Sequence, residues 1–258
     1  MRGEVNLLCA HAVQREGPEF FMPLLSIIIP AYNEEKSIVT VVGRVEACTL
    51  PPGFGREIII INDGSTDGTA AALAPFESRH EVIHQSNLGK GGAVRRAFHI
   101  AKGDYVIVQD ADLEQDPEEY ARLLEPIISG AADVVFGSRF LGAYKPRSLT
   151  MSAHYRINRL FSLSVNALTR LSTTDVWTGY KMYSRKALSA ILPHLRSDGI
   201  EFELEVAVLL SKLGMRVRDV PISYVPRWYD EGKKTNVRQA FISLWRLVTF
   251  VFRRVRAR

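Results

Sequence analysis

Four short runs of apolar residues constrain this chain most: Leu24–Pro30 (LLSIIIP), Glu57–Asn62 (EIIIIN), Asp104–Gln109 (DYVIVQ) and Ala132–Phe136 (ADVVF). Each is continuous rather than alternating, four to eight residues long, and rich in Ile and Val. Such runs fit strands of a parallel sheet covered on both faces. Helical patterns separate them. Glu34–Val45 carries apolar residues at Ile38, Val41, Val42 and Val45, and Thr66–Phe76 and Gly91–Ala101 are further helix candidates. Pro117–Ser129 opens with Asp116 as N-cap and Pro117 at the first helical position. Strand and helix alternate, so the expected class is α/β with a mainly parallel central sheet flanked by helices.

The rest of the chain is sparser. Glu81–His84 and Gly179–Ser184 are weaker strand candidates, and Arg216–Tyr224 reads as extended, with Pro221 favouring a sheet edge. Leu149–Leu171, Glu201–Leu213 and Val237–Val255 read as helices. Residues 1–22 read as an extension, with Met22 a possible alternative start. Residues 23–235 form the main domain, and residues 236–258 a basic amphipathic helix.

In an open α/β sheet, ligands bind beyond the carboxyl ends of the strands. Three strands are followed by polar or acidic residues: Pro30-Ala31-Tyr32-Asn33-Glu34-Glu35, Asn62-Asp63-Gly64-Ser65-Thr66-Asp67, and Asp110-Ala111-Asp112-Leu113-Glu114. Each cluster alone is as well explained by helix capping; three at one sheet edge are not. Asp110, Asp112 and Glu114 alternate, so in an extended segment they share one face. Hard oxygen ligands so placed suit Mg²⁺ or Mn²⁺ together with a diphosphate. Asn87–Gly92 (NLGKGG) is a glycine-rich turn opening a helix. It lacks the GxxxxGKS/T spacing of a P-loop. It is either a tight turn or a place where backbone N–H groups and Lys90 approach phosphate or ribose.

Other chemistries find little support. The six histidines show no ligand spacing, and no Ser/His/Asp or Cys/His nucleophile arrangement stands out. The two cysteines, Cys9 and Cys48, make no disulfide framework and fit a reducing cytoplasm. No run reaches the length of a spanning helix. Charge is uneven. Residues 1–129 hold 11 Lys/Arg against 19 Asp/Glu, and residues 130–258 hold 22 against 9. An acidic half suits a metal and a basic half phosphates or an anionic membrane, but charge alone is better explained by two solvated surfaces of opposite sign; no nucleic-acid partner is expected.

Seven ordered motifs carry a family resemblance. PAYNEE (30–35), NDGSTDGT (62–69), NLGKGGAVRRAF (87–98) and QDADLEQDP (109–117) resemble the family 2 glycosyltransferases. FGSRF (136–140), TDVWTGYKMYSRKAL (174–188) and PISYVPRWYDEGKK (221–234) narrow this. They are similar to the branch that contains dolichyl-phosphate mannose synthase and polyprenyl-phosphate glucosyltransferases. The resemblance implies a GT-A fold and an inverting, metal-dependent transferase using a UDP- or GDP-sugar. Its implied acceptor is a polyprenyl phosphate. It places Pro30, Tyr32, Glu34 and Asp63 around the nucleoside, with Lys90, Ala111 and Arg139 also on the nucleotide-sugar. It places Asp110 and Asp112 on metal and diphosphate, with Glu114 where the mannose synthases commonly carry Gln. Arg227 and Lys233 match positions that stabilise the leaving phosphates. Two other readings stay open: transfer to a glycan or small-molecule hydroxyl, for which Asp175 is the candidate base, and a non-catalytic nucleotide-sugar-binding subunit.

The last helix bears on the acceptor. Gln239, Ser243, Arg246, Thr249, Arg253 and Arg256 recur at helical spacing as a polar stripe, with six arginines and no acid over 237–258. It suits either a membrane interface, with arginines on lipid phosphates, or packing on the domain or a partner subunit. The expected location is the cytoplasmic face of a membrane.

Overall fold

The structure is a computed structural model that describes residues 22–142, 149–226 and 237–255. Seven strands form one sheet: β1 (Leu24–Ala31), β2 (Gly55–Asp63), β3 (Glu81–Gln85), β4 (Tyr105–Val108), β5 (Val134–Ser138), β6 (Lys181–Ser184) and β7 (Val217–Pro221). Their order is β3-β2-β1-β4-β6-β5-β7. Every neighbouring pair is parallel except the two that β6 makes with β4 and β5. The sheet is therefore mainly parallel, as expected. Pro221 ends β7 at the sheet margin, where its missing N–H costs no ladder bond.

The helices are α1 (Ile38–Ala47), α2 (Thr69–Leu73), α3 (Lys90–Ile100), α4 (Tyr120–Ile128), α5 (Leu149–Leu168), α6 (Arg185–Ile191), α7 (Phe202–Lys212) and α8 (Val237–Phe252). They cover both faces of the sheet, which is why the strands read as unbroken apolar runs. Ile27, Ile29, Ile58, Ile60 and Ile107 pack with α1 and α4 residues such as Val42 and Leu123. Their neighbours Ile28, Ile59, Ile61, Val106 and Val108 face the opposite core, with α3, α5, α7 and α8. The residues expected on the inner face of α1, namely Ile38, Val41, Val42 and Val45, are its buried ones.

Three local differences from the sequence reading have physical causes. Helix α1 starts at Ile38 rather than Glu34, because Glu34 and Asn33 are tied to the β2–α2 loop. The Glu34 amide donates to Thr69 Oγ1 (2.8 Å), and Asn33 Oδ1 accepts from the Thr66 amide (2.8 Å). Helix α6 was not anticipated; Ser184 caps it by accepting from the Ala187 amide (3.2 Å). The segment Asp110–Glu114 is not extended, because Leu113 adopts φ 61° and turns the chain.

The antiparallel β6 matters most for function. Strands β1, β2, β4 and β5 end at one margin of the sheet. Because β6 runs the other way, the loop that enters it, Asp175–Tyr180, arrives at that same margin. Residue 139 leaves β5 there as well.

Candidate active site

A cavity of about 550 Å³ opens at this margin. Every residue that the resemblance places on the nucleotide-sugar lies on its wall: Pro30, Tyr32, Glu34, Asp63, Lys90, Asp110, Ala111 and Arg139. Asp112 and Glu114 are there too. Pro30 and Asp63 belong to β1 and β2, Lys90 opens α3, and the others lie in the connections that leave β1, β4 and β5.

Asp63 is held by three hydrogen bonds. Its Oδ1 accepts from Gln85 Nε2 (2.6 Å) and the Leu88 amide (2.9 Å), and its Oδ2 from the Gly89 amide (2.8 Å). One carboxylate thus fastens β3 and the glycine-rich turn to the end of β2. It has about four acceptor positions, so capacity remains for one donor from a ligand. Gly89 sits at φ 87°, and a Cβ there would lie 2.6 Å from the Asp198 carbonyl oxygen. Only glycine meets both demands. The turn sets Lys90 as the first residue of α3.

Lys90 reaches across the cavity floor. Its Nζ lies 2.6 Å from Asp110 Oδ1 and 3.5 Å from Glu203 Oε1. Burial opposes the lysine's charge, but Asp110 and then Glu203 outweigh it and hold the ammonium above the ordinary lysine range. Gly179 closes the floor from the β6 side. A Cβ at that position would stand 2.4 Å from Asp110 Oδ2 and 2.5 Å from Lys90 Nζ.

The expected triplet of metal ligands is only partly realised. Among the described residues, no three Asp, Glu, His or Cys side chains converge as a cation-binding group. Alternation places side chains on one face only in extended backbone, and the turn at Leu113 breaks it. Glu114 is buried, and its Oε2 accepts from the Tyr224 hydroxyl (2.6 Å). Asp112 Oδ1 caps the turn by accepting from the Glu114 amide (3.1 Å).

Asp175 is not where a general base would stand. It is fully buried, off the cavity wall and behind Arg139. Arg139 Nε and Nη2 donate to its two oxygens at 2.7 Å each, and the Arg139 amide adds a third bond at 3.2 Å. Both oxygens of the residue expected as a base are thus engaged by Arg139, which they orient. Burial works against the guanidinium, and Asp175 more than restores it, so Arg139 stays charged. Its guanidinium carbon also lies 5.3 Å from the Tyr224 ring centroid. Arg227 and Lys233 lie outside the described residues.

Several wall residues escaped the sequence reading as site residues. Tyr224 was legible only as part of its motif, since it approaches from β7, distant in sequence. Gln115, Trp177 and Gly179 also line the cavity, beside Asn87 and Gly89 of the glycine-rich turn already singled out. Glu203 gave no signal, because it belongs to an apolar helix and meets Lys90 only in the fold. Other polar residues are structural. Glu35 Oε2 accepts from the Gly68 amide (2.8 Å), and Asp67 Oδ1 from the Thr69 amide (3.0 Å). Both acids brace the turn that leads into α2.

Helix α8 turns its stripe inward in part. Ser243 is buried, and Arg253 Nη1 meets buried Glu205 Oε1 at 2.6 Å. Leu247 and Phe250 join the core beside α7. Trp245 and Phe252 are 69% and 81% exposed, with Ile242, Leu244 and Val248 also outward. Among the described residues, no helix is long and apolar enough to cross a membrane.

Comparison with known proteins agrees with this layout. The family model described as glycosyl transferase family 2 matches residues 26–192. The low-salt glycan biosynthesis hexosyltransferase Agl6 of Haloferax volcanii is 30% identical over 97% of this chain and 60% of its own length. Glycosyltransferase AglD from the same organism is 32% identical over 79% of this chain but 33% of its own length, so the chain spans only part of these two relatives. The undecaprenyl-phosphate mannosyltransferase of Micrococcus luteus is 31% identical, covering 85% of this chain and 91% of its own. The glucosyl-3-phosphoglycerate synthase of Mycobacterium tuberculosis, solved with Mn²⁺, UDP and phosphoglyceric acid, superposes with a TM-score of 0.65 at 22% identity. That match covers 89% of this chain and 79% of the other, and it gives the GT-A fold. With ordered motifs, sheet and cavity in agreement, the chain belongs to glycosyl transferase family 2.

Proposed function

We propose that this chain transfers a sugar, with inversion, from a UDP- or GDP-sugar to a polyprenyl phosphate at a membrane surface. One observation carries the reading: the whole expected nucleotide-sugar set lines a single cavity whose floor pairs Asp110 with Lys90. The names of two relatives support the acceptor, the undecaprenyl-phosphate mannosyltransferase and a dolichyl-phosphate N-acetylglucosaminyltransferase of Methanococcus voltae. The latter is 27% identical over 87% of this chain and 95% of its own.

The donor set fits a divalent cation. Mg²⁺ and Mn²⁺ at phosphate sites are usually held by one or two carboxylates plus phosphate oxygens. Asp110 and Asp112 meet that requirement on the cavity wall, with the Glu114–Tyr224 pair beside them. A cation there would neutralise charge growing on the leaving diphosphate. Asp63 would accept from the base or ribose, and Tyr32 and Glu34 would border the nucleoside. Arg139, held by Asp175, would present its guanidinium to a phosphate, with Arg227 and Lys233 as further cations for the same charge.

The acceptor phosphate oxygen attacks the anomeric carbon, and the bond from that carbon to the donor's phosphate oxygen breaks. The electron pair leaves with the nucleoside diphosphate. An ionised phosphate needs no proton removed, which agrees with Asp175 being engaged by Arg139 rather than facing the cavity. Positioning and charge stabilisation then carry the rate. Helix α8 would lay Trp245 and Phe252 into the membrane interface, bringing the cavity to its acceptor.

Calorimetry with UDP and GDP, with and without Mn²⁺, tests the donor half of this reading. Cation-dependent binding of one of them, weakened in Asp112→Asn, is the expected result. Equal binding with and without cation would remove the metal from the site.

A further inference from the structure

The cavity floor continues into a chain of charges whose inner pair, Lys181 and Glu203, is buried. Lys181, the first residue of β6, is fully buried. Its Nζ donates to the Val176 carbonyl (3.1 Å), to the Thr178 carbonyl and to Glu203 Oε2. Glu203, in the first turn of α7 and 5% exposed, turns its other oxygen to Lys90 Nζ at 3.5 Å. Lys90 in turn lies 2.6 Å from Asp110. The order is Lys181, Glu203, Lys90, Asp110, with alternating sign from the core to the wall. Gly179 stands against the outer pair, and the carbonyls of 176 and 178 hold the inner lysine. The loop that shapes the cavity is therefore fastened to the same charges that floor it.

A buried acid that only offset Lys181 could use both oxygens on it. Glu203 instead divides them between two lysines. Lys90 leans on Asp110, and any cation bound by Asp110 must displace that ammonium or sit beside it. Displacement into a buried, unpaired position would be costly. Glu203 would offset that cost, because its Oε1 already lies 3.5 Å from Nζ and a rotation of the Lys90 side chain would keep the charge paired.

We infer that Glu203 is a positioning residue for cation binding: anchored by Lys181, it receives Lys90 when a divalent cation takes Asp110. The inference rests on the donor-and-cation reading above. It assigns Glu203 a role through Lys90 and no contact with the sugar or the acceptor. It also accounts for a buried acid at a place in α7 where helix capping alone would accept an exposed one.

The test is a double-mutant cycle on the full chain, reading Mn²⁺ affinity by calorimetry in the presence of saturating UDP or GDP. The four proteins are the unmodified chain, Glu203→Gln, Lys90→Gln and the double variant. Glu203→Gln should weaken Mn²⁺ binding about tenfold in the unmodified background and less than about twofold once Lys90 is gone, because the coupling runs through Lys90. The same factor in both backgrounds would overturn the inference and leave Glu203 a structural acid, as would no shift in the single variant. If the Gln variant fails to fold, Glu203→Asp enters the same cycle. It keeps a charge for Lys181, withdraws it from Lys90, and should give a smaller loss that likewise disappears with Lys90→Gln. An unmodified chain that binds no Mn²⁺ with either nucleotide would instead sink the donor-and-cation reading itself.

Discussion

Arg139 and Asp175 illustrate how a residue's role depends on what it faces. Asp175 is fully buried and spends both oxygens on Arg139. Asp175→Asn leaves a largely buried guanidinium without its counter-charge, a loss of about 3–5 kcal/mol for a pair of this kind. Denaturant unfolding should register it, and donor binding should weaken because Arg139 loses its orientation. The pH profile of turnover should keep its shape; loss of the acidic limb in that variant would restore Asp175 as a base. Asp112→Asn should behave differently. It should lower turnover about 10²- to 10³-fold, the scale of one electrostatic group at a reacting centre, with the melting temperature unchanged. Full activity would remove Asp112 from the site. Asp63, Asp110 and Asp112 follow apolar strands in the sequence and line the cavity in the fold, so their shared margin was legible. It could not separate wall from backing, because Asp175 and Glu203 acquire their partners only through contacts distant in sequence.

At the scale of elements, edge strand β7 is pinned by charge. Asp133, just before β5, accepts from Arg216 Nε and Nη2 at 3.0 Å each, just before β7. Hydrogen bonds from Arg216, with burial opposing them, hold the Asp133 carboxyl well below the usual range. A lowered folded value means the stabilisation is present above the ordinary carboxylate pKa of about 3.9 and is lost as pH falls below it. Asp133→Asn should therefore lose less Tm than the unmodified chain between pH 5 and pH 3; an equal loss would assign the acid limb to other groups. Helix α8 gives a second test. Its existence and amphipathic character were legible in the sequence. Which sector faces inward was not, since Leu247 and Phe250 find their place only beside α7. Joint substitution Trp245→Ser and Phe252→Ser should weaken binding to anionic vesicles about tenfold or more, given about 1.5–3 kcal/mol per buried aromatic. Tm should hold, because both side chains are exposed. Unchanged vesicle binding would remove α8 from the membrane.

At the scale of the molecule, the α/β class and the strands of the sheet follow from patterns of apolar residues, and Ile27 to Ile29 and Ile58 to Ile61 show why: they are covered on both faces. The lateral order β3-β2-β1-β4-β6-β5-β7 and the reversal of β6 are not written in any local pattern. That reversal brings Trp177 and Gly179 to the margin where β1, β2 and β4 end, so it completes the cavity. The site is thus a product of topology as much as of motif, and its chemistry should survive only with the loop entering β6 in place.

The central claim is sugar transfer to a polyprenyl phosphate. The most direct measurement supplies a panel of UDP- and GDP-sugars with Mg²⁺ or Mn²⁺ and a short polyprenyl phosphate, and follows the prenyl-linked product. Cation-dependent formation of a prenyl-phosphate sugar from one donor, with inverted anomeric configuration, is the predicted result. Cation-dependent donor hydrolysis with no prenyl product would contradict it, and would move the acceptor to a hydroxyl.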